Sequence, residues 1–259
     1  LIFAEDALYG LLYIGSPFIF TTNLISAHAG IISRNAHAEL HGSTYWMSNG
    51  VFYKYDGAVS EVPCSVLDYV FDRMDRNQRQ KVVAGVNPSF DEIVWFYPSQ
   101  TSSPGECDSY VAYNVLDGSW AIGSLDRTFW EDSEHYQYPV ALGDGEIYYH
   151  EKGTNADGAA LGEHIESGYF DLDDGDHYSF LRRLIPDFDM SSGSVDVTVK
   201  TKAYPRSTAR TYGPYTVTSA TEKIDLRARG RQINFRLDNA ALDTDWRMDA
   251  MRGDVVPDG

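Results

Sequence analysis

Apolar and polar positions alternate along short segments of this chain, and glycine-containing turns separate the segments. In "STYWMSNGVFYKYDGAVSEVP", Asn49-Gly50 separates two alternating runs, and Asp56-Gly57 separates the second run from a third. Alternation with a period of two is typical of strands that bury one face. Asn-Gly and Asp-Gly favour two-residue hairpin turns, because both central positions of such turns need positive φ. The segment therefore predicts a three-stranded antiparallel meander.

The same theme recurs further along the chain. "KVVAGVNPSFDEIVWFYPSQ" and "SYVAYNVLDGSWAIG" make a second unit, and "YPVALGDGEIYYHEKG" makes a third. The spacing of the units is too irregular for a WD40-type repeat. We predict an all-β fold with divergent β-propeller-like meanders over residues 1–180, which form a partial propeller in a chain of this length. A β-sandwich is the alternative.

A helical pattern interrupts the strands once. Val66, Val70 and Met74 recur near helical spacing among Asp and Arg residues. The pattern predicts a short surface helix over residues 65–79.

The last part of the chain, residues 181–259, has a different character. In "SGSVDVTVKTKAYP", Val195, Val197 and Val199 alternate with polar residues, which predicts a strand with one buried face. Further strands are predicted at Tyr215–Ser219, Lys223–Arg229, Gln232–Asn239 and Trp246–Gly253. We therefore predict a C-terminal antiparallel β region with an arginine-rich face.

The formal charge of −17 is distributed unevenly. Residues 1–199 hold 10 Lys/Arg against 30 Asp/Glu, a balance of −20, and residues 200–259 hold 11 against 8, a balance of +3. An acidic body repels phosphate backbones, so that ordinary nucleic-acid binding is disfavoured.

Cysteine usage and the N-terminal region bear on the compartment. Cys64 and Cys107 are too few for a disulfide framework, and we expect two reduced, mostly buried thiols in a protein assembled in a cytoplasm. No stretch approaches the roughly 20 apolar residues that span a bilayer. Glu5 and Asp6 interrupt the apolar first line, which does not fit a signal peptide. Because the chain lacks an initiator Met, we expect it to be part of a longer polypeptide.

Two motifs resemble metal sites without fitting them. "HAELH" places His37 and His41 at the spacing of a zincin helix, but Glu39 stands in the third place and β-rich sequence follows, which favours a strand or turn. "DLDDGD", Asp171 to Asp176, lacks the acidic residue of an EF-hand at position 12, where Arg182 stands. We favour a hairpin turn there, with an irregular Ca²⁺ site as the alternative, and we expect no bound metal or cofactor.

One acidic pair lies beside aromatic residues. Asp91-Glu92 next to Trp95 and Tyr97 fits a glycosidase acid beside a sugar-binding platform, but sequence alone does not show that two carboxylates meet. No G-x-S-x-G elbow, phosphate-binding loop or Cys–His arrangement is present. We expect no enzymatic activity and no catalytic residue, and we interpret Trp120 as a core or interface residue.

Arginines near the C-terminus are the strongest interface candidates. In "RARGRQINFRL", Arg227, Arg229 and Arg231 have a period of two and lie on one face of a strand if its pleat is unbroken. Such a row can bind acidic groups of a neighbouring subunit in bidentate pairs, bind phosphates, or remain solvated. The acidic body favours the neighbouring subunit. Further interface candidates are Arg236, Trp246 and Arg247.

Four segments resemble a known group of proteins. "STYWMSNGVFYKYDG", "DEIVWFYPS", "YHEKG" and above all "RARGRQINFRLDNAALDTDWRMDAMRGDVVPDG" are similar to the tail nozzle or tail tubular B-type proteins of short-tailed phages, which overlap in role with packaged-DNA stabilisation proteins. The resemblance extends over nearly the whole chain. The last segment is its most specific part, whereas the propeller-like strands are generic.

The resemblance implies a structural virion protein with a β-propeller, assembled in the host cytoplasm as a homo-oligomeric ring, a hexamer in such nozzles. It implies tail adaptor and fibre proteins as neighbours, with phage DNA passing through the channel without specific binding. It brings no cofactor and no catalytic residue. An acidic channel wall that does not hold DNA agrees with this function. The alternative is a carbohydrate-binding or glycan-cleaving β-propeller of a tail fibre or a secreted lectin.

Overall fold

The computed structural model describes residues 1–133, 136–172, 175–239 and 241–257. The chain divides into two compact units, Leu1–Lys152 and Gly153–Gly259. Strands make up 53% of it and helices 6%, which confirms the predicted all-β class. No helix within the described ranges is long and apolar enough to cross a membrane.

The first unit is built from antiparallel meanders. Its sheets have the orders β1-β2-β3, β4-β5-β6-β7, β11-β10-β9-β8 and β12-β13-β14, so that neighbouring strands are consecutive in the chain. A propeller arrangement of these sheets stays a prediction. The strands are β1 (Ile2–Phe3), β2 (Leu8–Tyr13), β3 (Phe20–Ser26), β4 (His37–Leu40), β5 (Ser43–Met47), β6 (Phe52–Tyr55), β7 (Val59–Val62), β8 (Val83–Asn87), β9 (Glu92–Tyr97), β10 (Ser109–Asn114), β11 (Trp120–Ser124), β12 (Phe129–Glu131), β13 (Val140–Gly143) and β14 (Glu146–Tyr149).

Hairpin turns in this unit use positive φ in two ways. Between β4 and β5, His41 and Gly42 have φ of 52° and 71°, so both central positions are left-handed. At Asn49-Gly50 only the glycine is left-handed, and Ser48 N–H donates to Val51 O at 2.9 Å across a longer loop. The "HAELH" motif is therefore a strand followed by a turn, as predicted.

Large aromatic side chains form the core of the first unit. Trp46, Phe52 and Trp95 are at most 1% exposed. Both indoles keep a hydrogen-bond acceptor in the core, since Trp46 Nε1–H donates to Gly30 O and Trp95 Nε1–H to Ala36 O. Burial of such side chains is the main stabilising contribution in small β domains.

The predicted helix is present but shorter than residues 65–79. Helix α1 spans Leu67–Arg73 and buries Val70 and Phe71. The backbone is extended at Met74, which ends α1. A 3-10 helix follows over Arg76–Lys81, and the Asp75 side chain caps its first turn by accepting a hydrogen bond from Asn77 N–H. A further 3-10 helix spans Pro88–Phe90.

The second unit consists of two larger sheets and a short hairpin, β15-β16. One sheet has the order β17-β23-β20-β21, with β18 also pairing with β23, and the other has the order β22-β19-β24. The strands are β15 (Asn155–Ala156), β16 (Ala159–Ala160), β17 (His164–Glu166), β18 (Phe170–Asp171), β19 (Ser179–Ser192), β20 (Val195–Lys202), β21 (Arg210–Val217), β22 (Ile224–Gly230), β23 (Gln232–Asp238) and β24 (Asp245–Pro257).

Both large sheets contribute to one core. Val195, Val197 and Val199 of β20 are fully buried, as their alternation predicted, and they cluster with Leu181 of β19 and Leu226 of β22. The two sheets therefore pack face to face, as in a β-sandwich.

The unit boundary after Lys152 differs from the predicted boundary after residue 180. β17 and β18 precede residue 180, yet both pair with β23. Backbone pairing between segments that are far apart in the sequence assigns residues 153–180 to the second unit, and local alternation does not reveal such pairing.

Candidate functional site

Arg227 and Arg229 lie on the exposed face of β22, but Arg231 does not. The strand alternates regularly, with Leu226 and Ala228 buried and the arginines exposed. It ends at Gly230, and Arg231 lies in the bend that follows, where its Nε–H donates to Gly175 O at 2.6 Å. The condition of an unbroken pleat is not met, so the predicted row of three arginines is a pair.

Two arginines of the adjacent strand extend this basic face. Arg182, Arg183 and Arg227 line one surface groove of about 540 Å³ together with Phe180, Asp225, Leu226 and Asp254. Arg183 Nε lies 3.1 Å from Asp225 Oδ1. Within the described part of the chain, Arg182 and Arg227 make no ion pair. We call this site the basic groove.

A β-bulge explains why adjacent arginines reach the same groove. Neighbouring residues of a regular strand point to opposite faces, but the β19–β22 register shifts between Leu181 and Arg183. The dipeptide Arg182-Arg183 in "SFLRRLIPDF" was missed at the sequence level, because a bulge leaves no mark in the alternation pattern of its own strand.

Arg229 contacts an aromatic ring beside the groove. Its guanidinium carbon lies 4.3 Å from the centroid of the Tyr178 ring, within the range of a cation–π interaction. Arg229 is therefore partly engaged within its own unit.

Arg236 is a structural residue of the second unit. Its Nη1 lies 2.9 Å from Glu166 Oε2, and its Nε and Nη2 bind Asp238. Lys200 Nζ binds the other oxygen of Glu166 at 2.7 Å. Hydrogen bonds from Lys200 and Arg236 lower the pKa of Glu166 to about 2, and those to Asp238 and Glu166 raise the pKa of Arg236.

Trp246 and Arg247 differ in their surroundings. Trp246 Nε1–H donates to Glu163 Oε1 at 2.9 Å, and its ring packs edge-on against Phe188 at 5.6 Å. Arg247 is exposed and lies opposite Asp189 in the β19–β24 pair. Trp246 therefore fixes the local packing, and Arg247 faces solvent.

The first unit carries a groove of the opposite charge. Glu106, Asp108, Asp126 and Asp144 line a groove of about 620 Å³. Lys81 Nζ binds Glu106 at 2.6 Å, which leaves a surplus of carboxylates along the groove. Residues 1–152 hold 8 Lys/Arg against 20 Asp/Glu, and residues 153–259 hold 13 against 18. We call this second groove the acidic groove.

The aromatic residues proposed as a sugar platform lie in the core. Trp95 and Tyr97 are 1% and 2% exposed. Trp120 is half-buried, lies 4.7 Å from Phe52 between ring centroids, and its Nε1–H donates to Pro63 O. Trp95 and Tyr97 therefore cannot stack on a sugar, and Trp120 packs against the core as interpreted from the sequence.

The acidic pair beside these aromatics has other contacts. Asp91 Oδ1 binds His41 Nε2 at 2.6 Å. Burial, followed by the charge of Glu151, raises the pKa of Glu92, and burial raises that of Glu151, whose Oε1 accepts from Asn87 Nδ2–H at 2.9 Å. The carboxyl group of Asp91 therefore binds His41, whereas that of Glu92 is partly buried near the charge of Glu151.

His37 and His41 of the "HAELH" motif belong to no cluster of metal ligands within the described residues. Among the described residues, no group of three or more His, Cys, Asp or Glu side chains could hold a metal ion. In "DLDDGD", Asp173 and Asp174 lie outside the described residues, so neither the turn nor the Ca²⁺ alternative is described there.

No protein-family model matches the chain, and no curated protein matches it.

Proposed function

We propose that this chain is a structural subunit of a tailed-phage virion that assembles into a ring as part of the tail nozzle. In this function it closes the DNA channel and later allows genome ejection. The observation that carries the proposal is the basic groove, where Arg182, Arg183 and Arg227 converge on a chain with a net charge of −17. The resemblance of the C-terminal segment to nozzle proteins supports it.

The two grooves give each copy surfaces of both signs. Exposed arginines without an intramolecular ion pair can bind carboxylates in bidentate geometry. The acidic groove supplies the carboxylates of Asp126 and Asp144. Its other two acidic residues have partners within the chain, since Glu106 binds Lys81 and Asp108 accepts hydrogen bonds from Ser99. A contact between the basic groove of one copy and the acidic groove of the next is head-to-tail, and such contacts form a ring when the rotation closes.

The charge balance also suits a channel that DNA crosses. A strongly acidic surface repels a phosphate backbone at distances up to about a Debye length, roughly 8 Å at physiological salt. The same repulsion lowers the affinity of any non-specific DNA complex. The basic groove has only three arginines on a chain with a net charge of −17, which favours a protein partner over DNA.

Charge reversal in the basic groove tests the proposal. The double variant Arg182→Glu/Arg227→Glu replaces two of the three groove arginines with carboxylates. The matched control Arg206→Glu/Arg210→Glu makes the same charge change at exposed positions outside the groove. We expect the groove variant to sediment as a monomer at concentrations where the control and the unmodified chain form rings.

Two results would overturn the proposal. One is a groove variant that forms rings as well as the control does. The other is an unmodified chain that binds duplex DNA at physiological salt and loses that binding in the groove variant, because the basic groove would then be a phosphate-binding site.

A further inference from the structure

The hairpin of β2 and β3 presents large apolar side chains to solvent. Its register pairs Tyr9 with Leu24 and Tyr13 with Phe20, and Leu11 lies between them on the same face. These five side chains, which we call the apolar face, are 36% to 72% exposed. Tyr13 and Phe20 contact each other edge-on at 5.8 Å. A contiguous exposed face of this kind marks an interaction surface.

Within the described residues, the hairpin has an open edge on each side. β1 pairs only with Leu8 and Tyr9 of β2, so Leu11–Tyr13 has an open edge on that side. β3 pairs only with β2, so Phe20–Ser26 is open on the opposite side. Open edges present rows of backbone donors and acceptors that an added strand can pair with.

The hairpin is also the uncharged part of an acidic chain. No Asp, Glu, Lys or Arg occurs between Asp6 and Arg34, although charged residues make up 23% of the chain. Two copies with a net charge of −17 each repel one another over most of their surface. The uncharged hairpin is a place where like-charged copies can meet without that repulsion.

We propose that the β2–β3 hairpin binds a second copy of this chain, the open edge of β3 in one copy pairing with the open edge of β2 in the next. β2 and β3 run in opposite directions, so this addition is antiparallel and repeats from copy to copy. It places the apolar faces of adjacent hairpins side by side. The inference rests on the proposed ring and identifies an element that joins its subunits.

Backbone chemistry favours a protein partner over a lipid surface. Hydrocarbon offers no hydrogen-bond partner to the open edges of a two-stranded hairpin, so that the backbone groups there would stay unpaired. A second hairpin supplies those partners. The acidic chain is also repelled by anionic headgroups.

Two lysines on the apolar face test the inference. Leu11 and Leu24 are 50% and 55% exposed, so the variant Leu11→Lys/Leu24→Lys removes no core contact. The matched control Leu116→Lys/Ile147→Lys adds the same charge at positions 74% and 69% exposed. We expect the hairpin variant to require about tenfold or more protein for assembly, because charges on an edge strand oppose pairing. The control should assemble like the unmodified chain.

Hydrogen exchange separates failure of this inference from failure of the proposed function. In assembled protein, backbone amides of residues 20–26 should exchange more slowly than in the monomeric Arg182→Glu/Arg227→Glu variant. If rings form but the hairpin amides are not protected, the hairpin contact is overturned and the proposed ring stands. Normal assembly of the hairpin variant has the same consequence. An unmodified chain that stays monomeric overturns both. Hairpin-dependent pelleting with phosphatidylcholine vesicles instead of self-assembly identifies a lipid surface as the occupant and also overturns the inference.

Discussion

Arg236 Nη1 lies 2.9 Å from Glu166 Oε2, and the guanidinium binds Asp238 with its remaining nitrogens. This intramolecular network distinguishes Arg236 from the arginines of the basic groove. Arg236 connects β17 to β23, whereas Arg182 and Arg227 have no ion pair within the described part of the chain. Of the predicted interface arginines, Arg236 in the network stabilises the fold, and Arg227 in the groove is available to a partner.

The Glu166 network makes stability depend on pH. Hydrogen bonds from Lys200 and Arg236 lower the pKa of Glu166 from 4.5 to about 2 in the folded chain. Because the pKa is lower in the folded chain, ionised Glu166 stabilises the fold at pH values above its unfolded-state pKa. This contribution is lost as the pH falls from about 4.5 to about 2. We expect Glu166→Gln to cost about 1 kcal/mol in the free energy of unfolding at pH 7, since the pair is partly exposed.

Urea unfolding at pH 7 and at pH 2 measures this difference. The difference between Glu166→Gln and the unmodified chain should shrink at the lower pH. Glu222→Gln is the control, because Glu222 is exposed and makes no ion pair with a described residue. A Glu166→Gln variant as stable as this control at pH 7 would show that the network contributes nothing.

Gly85 allows Trp130 to pack against β8. A Cβ atom at Gly85 would lie 2.4 Å from Trp130 Cγ, and the Trp130 indole N–H is fixed by its hydrogen bond to Val86 O. We expect Gly85→Ala to lower the free energy of unfolding by about 1–3 kcal/mol through overpacking. Thermal or urea unfolding measures the loss. Gly168→Ala, where a Cβ atom meets nothing within 4 Å, is the control and should change stability little. Equal stability of the two variants would refute the packing account.

The two thiols should differ in reactivity. Burial raises the pKa of Cys107 to about 12, and its Sγ–H donates to Lys81 O at 3.3 Å. Cys64 is only partly buried, and burial raises its pKa as well. We expect a thiol reagent at pH 8 to modify Cys64 first and Cys107 only on unfolding, because the thiolate is the reactive form. Mass spectrometry of peptides, with Cys64→Ser as control, locates the label. Rapid labelling of Cys107 in the folded chain would contradict its burial.

Local pattern predicted some strands closely, but the strand predicted at Tyr215–Ser219 overlaps β21 only at its end, and the long strand β19 was not predicted. The alternation at Val195, Val197 and Val199 correctly identified the buried face of β20, and the strand predicted over Gln232–Asn239 matches β23 closely. Both signals are local, because side-chain direction in a strand depends only on position parity. Free, unbridged cysteines were also expected from composition and are observed.

Non-local features were not predictable in the same way. The bulge beside Arg183 and the end of β22 at Gly230 depend on pairing with other strands. The end of β22 separates Arg231 from the predicted arginine row, and the bulge brings Arg182 and Arg183 to the basic groove. The apolar first line of the chain does not fit a signal peptide, and its sequence alone does not show whether these side chains are buried or exposed. The structure shows that the apolar side chains of the β2–β3 hairpin are exposed. It also shows that no described strand covers the open edges of this hairpin.

Sedimentation velocity of the unmodified chain tests the central claim most directly. The account predicts a closed assembly of several 29.0-kDa chains, which the Arg182→Glu/Arg227→Glu change in the basic groove converts to monomers. A 29.0-kDa monomer at every concentration and salt level would contradict it.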